Sequence, residues 1–469
     1  MTAFEDLVRA EAPLLDAYLT ALDADAAPFT IPGHKRNPAY GRVVAGDVPL
    51  HGGLDSVSLT GGLLAEAERR AAALWGADVA RFSVGGSTHG NQALALAVGR
   101  PGYRVVVPRT LHRSLLLGLV LAGLEPVWLP TRVDPATGLP LGCRAADVER
   151  CLRDHPDVVA VFVGDPTYVG SVGELAAVAD LVHAAGLPLL VDAAWGAHFG
   201  FHPALPAHAL QAGADALVTS AHKMLPAYSQ AALVLARTER LDPARLQSAF
   251  DATHTTSPAG AVLASLDAAR ALLQLDGEAQ LDGLLRLVAS VRADLRAIEG
   301  LTVLDAVEPA KLVVGLAAVG ADGVAVGRDL RLAGVEVELA DRDWLIPVIT
   351  LADTARTVER LVSALVAAVR RHAGPARRTV VAASWSVQPE IVVPPREAFF
   401  APAVTLDVQQ AIGRVSAELV APYPPGVPVL APGERVTAEA VDSLLAAARA
   451  GTRIAYATDP TMATLRVVA

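Results

Sequence analysis

Between about residue 80 and residue 235, short apolar runs alternate with helical patterns, and that alternation confines the chain to one class of fold. The runs are Arg104 to Val107, Pro126 to Leu129, Val158 to Val163, Pro188 to Val191, Ala216 to Thr219 and Ala231 to Leu235. Helical spacing fills 89–98, 112–122 and 172–185 between them. Short, continuously apolar runs are strands buried on both faces. Strands separated by helices make a mainly parallel sheet covered on both sides, an α/β fold. Ligands bind such sheets at the carboxyl ends of the strands, so chemistry is expected just beyond each run.

The flanking regions divide the rest. Residues 1–30 read as an N-terminal helix, Ala3 to Leu22, and a linker. Residues 31–304 form the large domain, with an amphipathic helix at 62–75 and two long helical patterns over 259–299. Residues 305–378 read as a smaller α/β domain: strand Leu312 to Leu316, helix Gly323 to Leu332, strand Val335 to Leu339, helix Ala355 to Arg371. A proline-rich C-terminal domain, 379–469, closes with a helix near Ala438 to Ala450 and a strand near Thr452 to Ala457.

Four strand ends carry unusual residues. Gly85-Gly86-Ser87-Thr88 precedes a helix, where free N–H groups and two hydroxyls can hold a phosphate. An ordinary Ser/Thr helix cap has the same residues. His112 follows the Arg104 to Val107 run and can stack on a planar ring or transfer a proton, though most isolated histidines do neither. Asp192 ends the Leu189-Leu190-Val191 run, where a buried acid needs a cation; a protonated ring nitrogen would serve. Trp195, three residues on, offers an indole N–H.

The fourth end is Ser220-Ala221-His222-Lys223. Only three of the 39 basic side chains are lysines, Lys35, Lys223 and Lys311. Arginine cannot replace a lysine whose amine must act as a nucleophile. Lys223, flanked by Ser220 and His222 just past a strand, has the setting of a Schiff-base lysine under a phosphate-bearing cofactor; taken alone, it reads equally as a surface lysine in a loop. Lys35 follows a Pro-Gly turn at the expected cleft mouth. Lys311 opens a strand and is expected to be solvated. Phosphate cradle, ring acid, stacking ring and amine together describe a pyridoxal 5′-phosphate site. His198 and His202 have the spacing of a metal pair, but Gly200 and Pro203 oppose a helix there, so they read as loop histidines and no metal is expected.

With these motifs the chain resembles the Orn/Lys/Arg decarboxylases of the fold type I, aminotransferase-like pyridoxal-phosphate enzymes. The matching pieces are Pro32-Gly33-His34-Lys35, Gly86 to Asn91, Arg109 to Ser114, Pro166-Thr167-Tyr168, Ser220 to Lys223, Thr255 to Pro258 and Ala264 to Asp267. Gly413 to Glu418, Tyr423 to Pro428 and Pro432-Gly433-Glu434 continue the match to the C-terminal region. The resemblance implies that Lys223 bonds the cofactor, that Asp192 pairs with its ring nitrogen and that His112 stacks on the ring. It places Ser87, Thr88, Ser220 and His222 on the phosphate, and Thr256 or Ser257 on the phosphate of a neighbouring subunit, hence a homodimer with shared sites. Many short members read Asp-Glu-Ala-His-Gly-Ala-His where this chain has Asp192-Ala193-Ala194-Trp195-Gly196-Ala197-His198; long members carry tryptophan at the Trp195 position. The N-terminal wing domain of the long members has no counterpart here, so their ring assemblies are not implied.

The implied reaction converts arginine, lysine or ornithine to agmatine, cadaverine or putrescine with release of carbon dioxide, the choice among them staying open. Glu338, Asp341 and Glu418 are the candidate partners of the substrate's distal cation. An aminotransferase or another lyase on the same fold, or a non-catalytic homologue, is the competing reading. A net charge of −10 without a basic tract argues against nucleic-acid binding. Cys143 and Cys151 make neither a disulfide framework nor a zinc site. With no signal-peptide pattern and no apolar stretch long enough for a bilayer, a cytoplasmic enzyme without membrane partners is expected. Borohydride reduction of the native protein followed by peptide mapping is expected to label Lys223; a label on Lys35 or Lys311, or none, would remove the central assignment.

Overall fold

The structure, a computed structural model, describes residues 3–24, 29–50, 54, 62–305, 307–379, 387–423, 426–449 and 451–469. Its centre is a seven-stranded sheet of β1 (Val79–Ser83), β2 (Arg104–Pro108), β3 (Glu125–Leu129), β4 (Val158–Gly164), β5 (Leu189–Asp192), β6 (Ala216–Ser220) and β7 (Ala232–Ala236). The strand order is β1-β7-β6-β5-β4-β2-β3. β3, β2, β4, β5 and β6 run parallel, and β7 lies antiparallel between β6 and β1. The carboxyl ends of β1, β2, β4, β5 and β6 therefore share one edge. Each of the six apolar runs is a strand, within a residue at either end.

β1 has no counterpart among the expected strands. Arg81 interrupts its apolar run, and its side chain leaves the sheet for Gln247 and Glu68. Helix 62–75 is present as Leu63–Trp75. The expected pair of helices over 259–299 is one helix, Gly260–Arg296. Asp276-Gly277 looks like a stop, but the buried stripe Leu273, Leu281, Leu284, Val288, Val291, Leu295 runs straight through it. The reverse holds at the N-terminus, where the expected single helix is Ala3–Glu11 followed by Pro13–Asp23. Pro13 lacks an N–H and starts the second helix. The carbonyl of Glu11 freed by this break accepts from Arg70 at 2.8 Å and from Arg270. Asp267 pairs with Arg270 at 2.7 Å and accepts from the Leu14 N–H at 2.9 Å, which explains that piece of the sequence pattern.

A four-stranded sheet, β10-β11-β9-β8, combines β8 (Thr302–Val303), β9 (Val314–Gly315), β10 (Leu339–Ala340) and β11 (Trp344–Ile346). Helices Gly323–Leu332 and Ala355–His372 accompany it. β11 was not expected, and only the last residue of the expected strand Val335 to Leu339 lies in β10. The C-terminal region has two antiparallel pairs: β12 (Ala403–Asp407) with β15 (Thr464–Val468), and β13 (Ala421–Tyr423) with β14 (Arg453–Ala455). Helix Ala438–Arg449 packs with them.

One buried ion pair ties this region to the main sheet. Arg109, directly after β2, meets Glu434 through two bonds of 2.7 and 3.0 Å, with exposures of 1% and 0%. Arg109 also donates to the Val429 carbonyl at 3.0 Å and stacks on Trp128, and the Ala431 N–H donates to Glu434 at 2.7 Å. Removing one member strands the other charge. Arg109→Met or Glu434→Leu alone is expected to destabilise the protein by about 3–5 kcal/mol, with the double variant recovering much of the loss. Denaturant unfolding of the three variants checks this; additive losses would contradict it.

Candidate active site

The strand ends line one cleft of about 640 Å³. The wall from β1 begins with Gly86, whose left-handed φ of 67° turns the chain into helix Gly86–Val98. Ser87 and Thr88 at that helix start line the cleft, and Ser87 Oγ stands 2.6 Å from Ser220 Oγ at the end of β6. Gly90 lets the helix lie directly on the sheet: a Cβ there would stand 2.6 Å from Val218. His89, in the same motif, faces away and is a core residue. Its Nε2 donates to the Phe250 carbonyl at 3.0 Å and its Nδ1 accepts from Ser83 at 2.8 Å; burial pushes its pKa down to about 4.

Asp192 closes the cleft floor. Its Oδ2 accepts from Asn91 Nδ2 at 2.8 Å and its Oδ1 from the Ala194 N–H at 3.1 Å. Asn91 Nδ2 also donates to Ser114 Oγ at 2.9 Å, which leaves the Ser114 proton for His112 Nδ1, 2.8 Å away. A neutral His112 therefore carries its ring proton on Nε2. Burial holds the His112 pKa below its ordinary value, against the pull of Asp192. Asn91 and Ser114 carried no assigned role in the sequence reading. The available signal was a buried amide in an otherwise apolar Ala-Leu-Ala-Leu-Ala helix.

Lys223 and His222 lie in the single turn Ala221–Met224 after β6. Burial lowers the Lys223 pKa, and Asp192 and Glu338 oppose that shift. Its Nζ is 4.3 Å from the centre of the Trp195 ring. His222 Nδ1 donates to the Ala231 carbonyl at 2.9 Å, leaving Nε2 for the cleft, and burial lowers its pKa also. Tyr168, beyond β4, stands edge-on to Trp195 and donates to Glu338 Oε1 at 3.2 Å. Glu338 joins Asp192 as the second acid of the lining, and Tyr423 and Val427 of the C-terminal region complete it.

The other candidates lie elsewhere. Asp341 is not in the cleft; its Oδ1 accepts from the Asp343 and Trp344 N–H groups, stabilising the turn into β11, and burial raises its pKa to about 6. Glu418 is not in the cleft either. Its two oxygens are committed to Arg466 N–H at 2.7 Å and to the Thr458 N–H and hydroxyl at 2.7 and 2.8 Å. A carboxylate so occupied has little left for a substrate. Thr256 and Ser257 form an exposed loop outside this chain's cleft. Lys35 is exposed, with its amine on the Thr30 carbonyl. Lys311, expected in solvent, is 3% exposed. His198 sits in a turn and bonds Glu308 at 3.4 Å rather than pairing with His202.

Ser87 and Ser220 at a helix start, a cleft-floor acid, an imidazole beside it and a buried amine fit a phosphorylated pyridine aldehyde. Comparisons with known proteins agree. Residues 12–315 match the model of the Orn/Lys/Arg decarboxylase major domain, and residues 379–454 that of its C-terminal domain. The chain belongs to the Orn/Lys/Arg decarboxylase family. Its cofactor is pyridoxal 5′-phosphate. It is 33% identical to an arginine decarboxylase of Halalkalibacterium halodurans and 30% identical to one of Bacillus subtilis, each over 98% of both chains. In fold it is similar to the lysine decarboxylase of Francisella novicida, with a TM-score of 0.83, 19% identity, and coverage of 97% of this chain and 80% of that one.

The shared amide gives a test. Asn91→Leu is expected to leave the fold intact and to lower turnover on the order of tenfold or more, because both Asp192 and Ser114 lose their donor. Nitrogen NMR of His112 should then show the Nε2–H tautomer less strongly favoured. An unchanged tautomer and unchanged turnover would remove Asn91 from the site.

Proposed function

We propose that this chain decarboxylates L-arginine to agmatine and carbon dioxide, as a cytoplasmic homodimer. The observation that carries this reading is the pair of lining acids: Asp192 beside His112 and Asn91, and Glu338 on Tyr168. When bound, pyridoxal 5′-phosphate supplies the electrophilic aldehyde and a ring that takes up the electron pair left by departing carbon dioxide.

The chain's own groups divide the remaining work. Ser87, Thr88, Ser220 and His222 would hold the phosphate. Asp192, aimed by Asn91 and the Ala194 N–H, would keep a proton on the ring nitrogen. His112, with Nδ1 satisfied by Ser114, presents Nε2–H. Lys223, its charge disfavoured by burial, would bond the cofactor through its amine and later exchange a proton at Cα. Glu338 then remains for the substrate's distal cation. One of its oxygens accepts from Tyr168, and its other lone pairs can take a guanidinium.

The arginine decarboxylases at 30–33% identity favour arginine over lysine and ornithine. No helix among the described residues is long and apolar enough to cross a membrane. The exposed loop of Thr256 and Ser257 suits a contribution to the neighbouring subunit's phosphate. The domain division at 30/31, 304/305 and 378/379 belongs to the same reading.

The deciding experiment supplies arginine, lysine and ornithine separately and measures amine and carbon dioxide. Agmatine is the expected major product; faster release of cadaverine or putrescine would overturn the substrate assignment. Asp192→Ala should retain cofactor but lose most turnover. Glu338→Gln should raise KM for arginine on the order of tenfold or more, with a smaller change in kcat. Normal turnover in Asp192→Ala, or an unchanged KM in Glu338→Gln, would remove the corresponding role.

A further inference from the structure

Trp195 carries two amines. Lys223 Nζ lies 4.3 Å from its ring centre and Lys311 Nζ lies 3.7 Å from it. Lys311 reaches the ring from the segment leading into β9, and its Nζ has no hydrogen-bond partner among the described residues. An ammonium without such a partner is expensive to bury, so its place has to be explained by what it does to its neighbours. Here the neighbour is an aromatic face, an uncharged surface whose quadrupole attracts a cation. The backbone is shaped for the lysine stem: Gly170 has φ 87°, and a Cβ there would stand 2.7 Å from Lys311 Cγ. Tyr168 stands beside both, 5.6 Å from the amine and edge-on to the indole.

The charged and titratable groups around Lys311 come from every packed element. Glu308 and Glu338 favour its protonated form and Lys223 opposes it. His198 bonds Glu308, Arg292 caps the Lys311 carbonyl, and Tyr168 faces the amine. Burial is the largest influence and brings the amine down to about 8, so at neutral pH it is largely charged. Two ammonium groups on one indole repel, and a proton held by Lys311 disfavours one on Lys223.

We propose that Lys311 is a positioning residue of the active site: its ammonium holds the Trp195 indole in place and, through that shared ring, favours the neutral form of Lys223. This rests on the reading of Lys223 as the cofactor lysine for its second half only; the clamp on Trp195 stands without it.

The test begins with the full chain stripped of cofactor. Tryptophan emission is followed from about pH 6 to pH 11, bracketing the shifted amine and its ordinary value, with Trp195→Phe as baseline. A Trp195-dependent step near pH 8 is expected, moved to higher pH in Lys223→Met, where the opposing charge is gone, and lost in Lys311→Met. A step that survives Lys311→Met, or one that vanishes in Lys223→Met, overturns the clamp. In the loaded enzyme, Lys311→Met should lower kcat by on the order of ten- to a hundredfold with KM for arginine nearly unchanged. The acid limb of its kcat profile should move to higher pH, because Lys223 becomes more basic. Lys311→Arg, which keeps the charge, should restore the limb while recovering only part of the rate. Lys311→Gln is the second neutral variant should methionine not fold. An unmoved limb in both neutral variants overturns the electrostatic half even if the emission step behaves as expected.

Discussion

A carboxylate at the end of the central strand organises this site. Asp192 is held by one side-chain amide and one backbone N–H, and the same amide holds Ser114, which sets the proton on His112. The arrangement requires helix Gly86–Val98 to lie close enough to the sheet for Asn91 to reach β5. Gly90 makes that approach possible, since any side chain there would meet Val218 and Val234. A glycine in the Gly86-to-Asn91 motif thus acts on Asp192 through helix placement. Fixed donors also keep the acid in one orientation without reorganisation at the moment it is needed.

The C-terminal region belongs to the same machine. Arg109 leaves β2 three residues before His112 and is pinned by Glu434 and the Val429 carbonyl. Buried ion pairs contribute little net stability against well-packed apolar alternatives, and a bidentate pair is demanding in geometry. Its effect here is registry: the loop that presents His112 and the segment that presents Tyr423 and Val427 are held at one distance. Half of this lock lies in the segment beginning at Arg109 and the other half in Pro432-Gly433-Glu434, both visible as motif pieces but meaningless until brought together.

That contrast marks what the chain states openly. Strands buried on both faces announce themselves as apolar runs, and the carboxyl-end rule then points at His112, Asp192 and Lys223, which line one cleft with Ser87 of the Gly-Gly-Ser-Thr motif. Features decided by partners distant in sequence stay silent. Arg81 hides β1 because its guanidinium exits the sheet, and a buried stripe carries helix Gly260–Arg296 through a glycine that reads as a stop. Glu338, Asp341 and Glu418 are indistinguishable as letters. What separates them is where their lone pairs go: to a tyrosine at the cleft for the first, to backbone N–H groups for the other two. Lys311 was misplaced for the same reason, since burial of a strand-leading lysine is set by Gly170 and Trp195.

The charge balance of the cleft connects burial with substrate class. Asp192 and Glu338 are the acids of its lining, and Lys223 is the amine. If Lys223 kept its full basicity, the lining would approach neutrality and repel a second cation from Glu338. Burial lowers the Lys223 pKa, so the lining carries excess negative charge whenever that amine is neutral or bonded. On the proposed reading, the burial that disfavours charge on Lys223 also weakens its hold on Glu338, which keeps the Tyr168 hydroxyl and the influence of Lys311 and has lone pairs left for a ligand's distal cation. On the proposed reading, the apolar packing around one lysine selects for a basic amino acid before any contact with the substrate side chain is made.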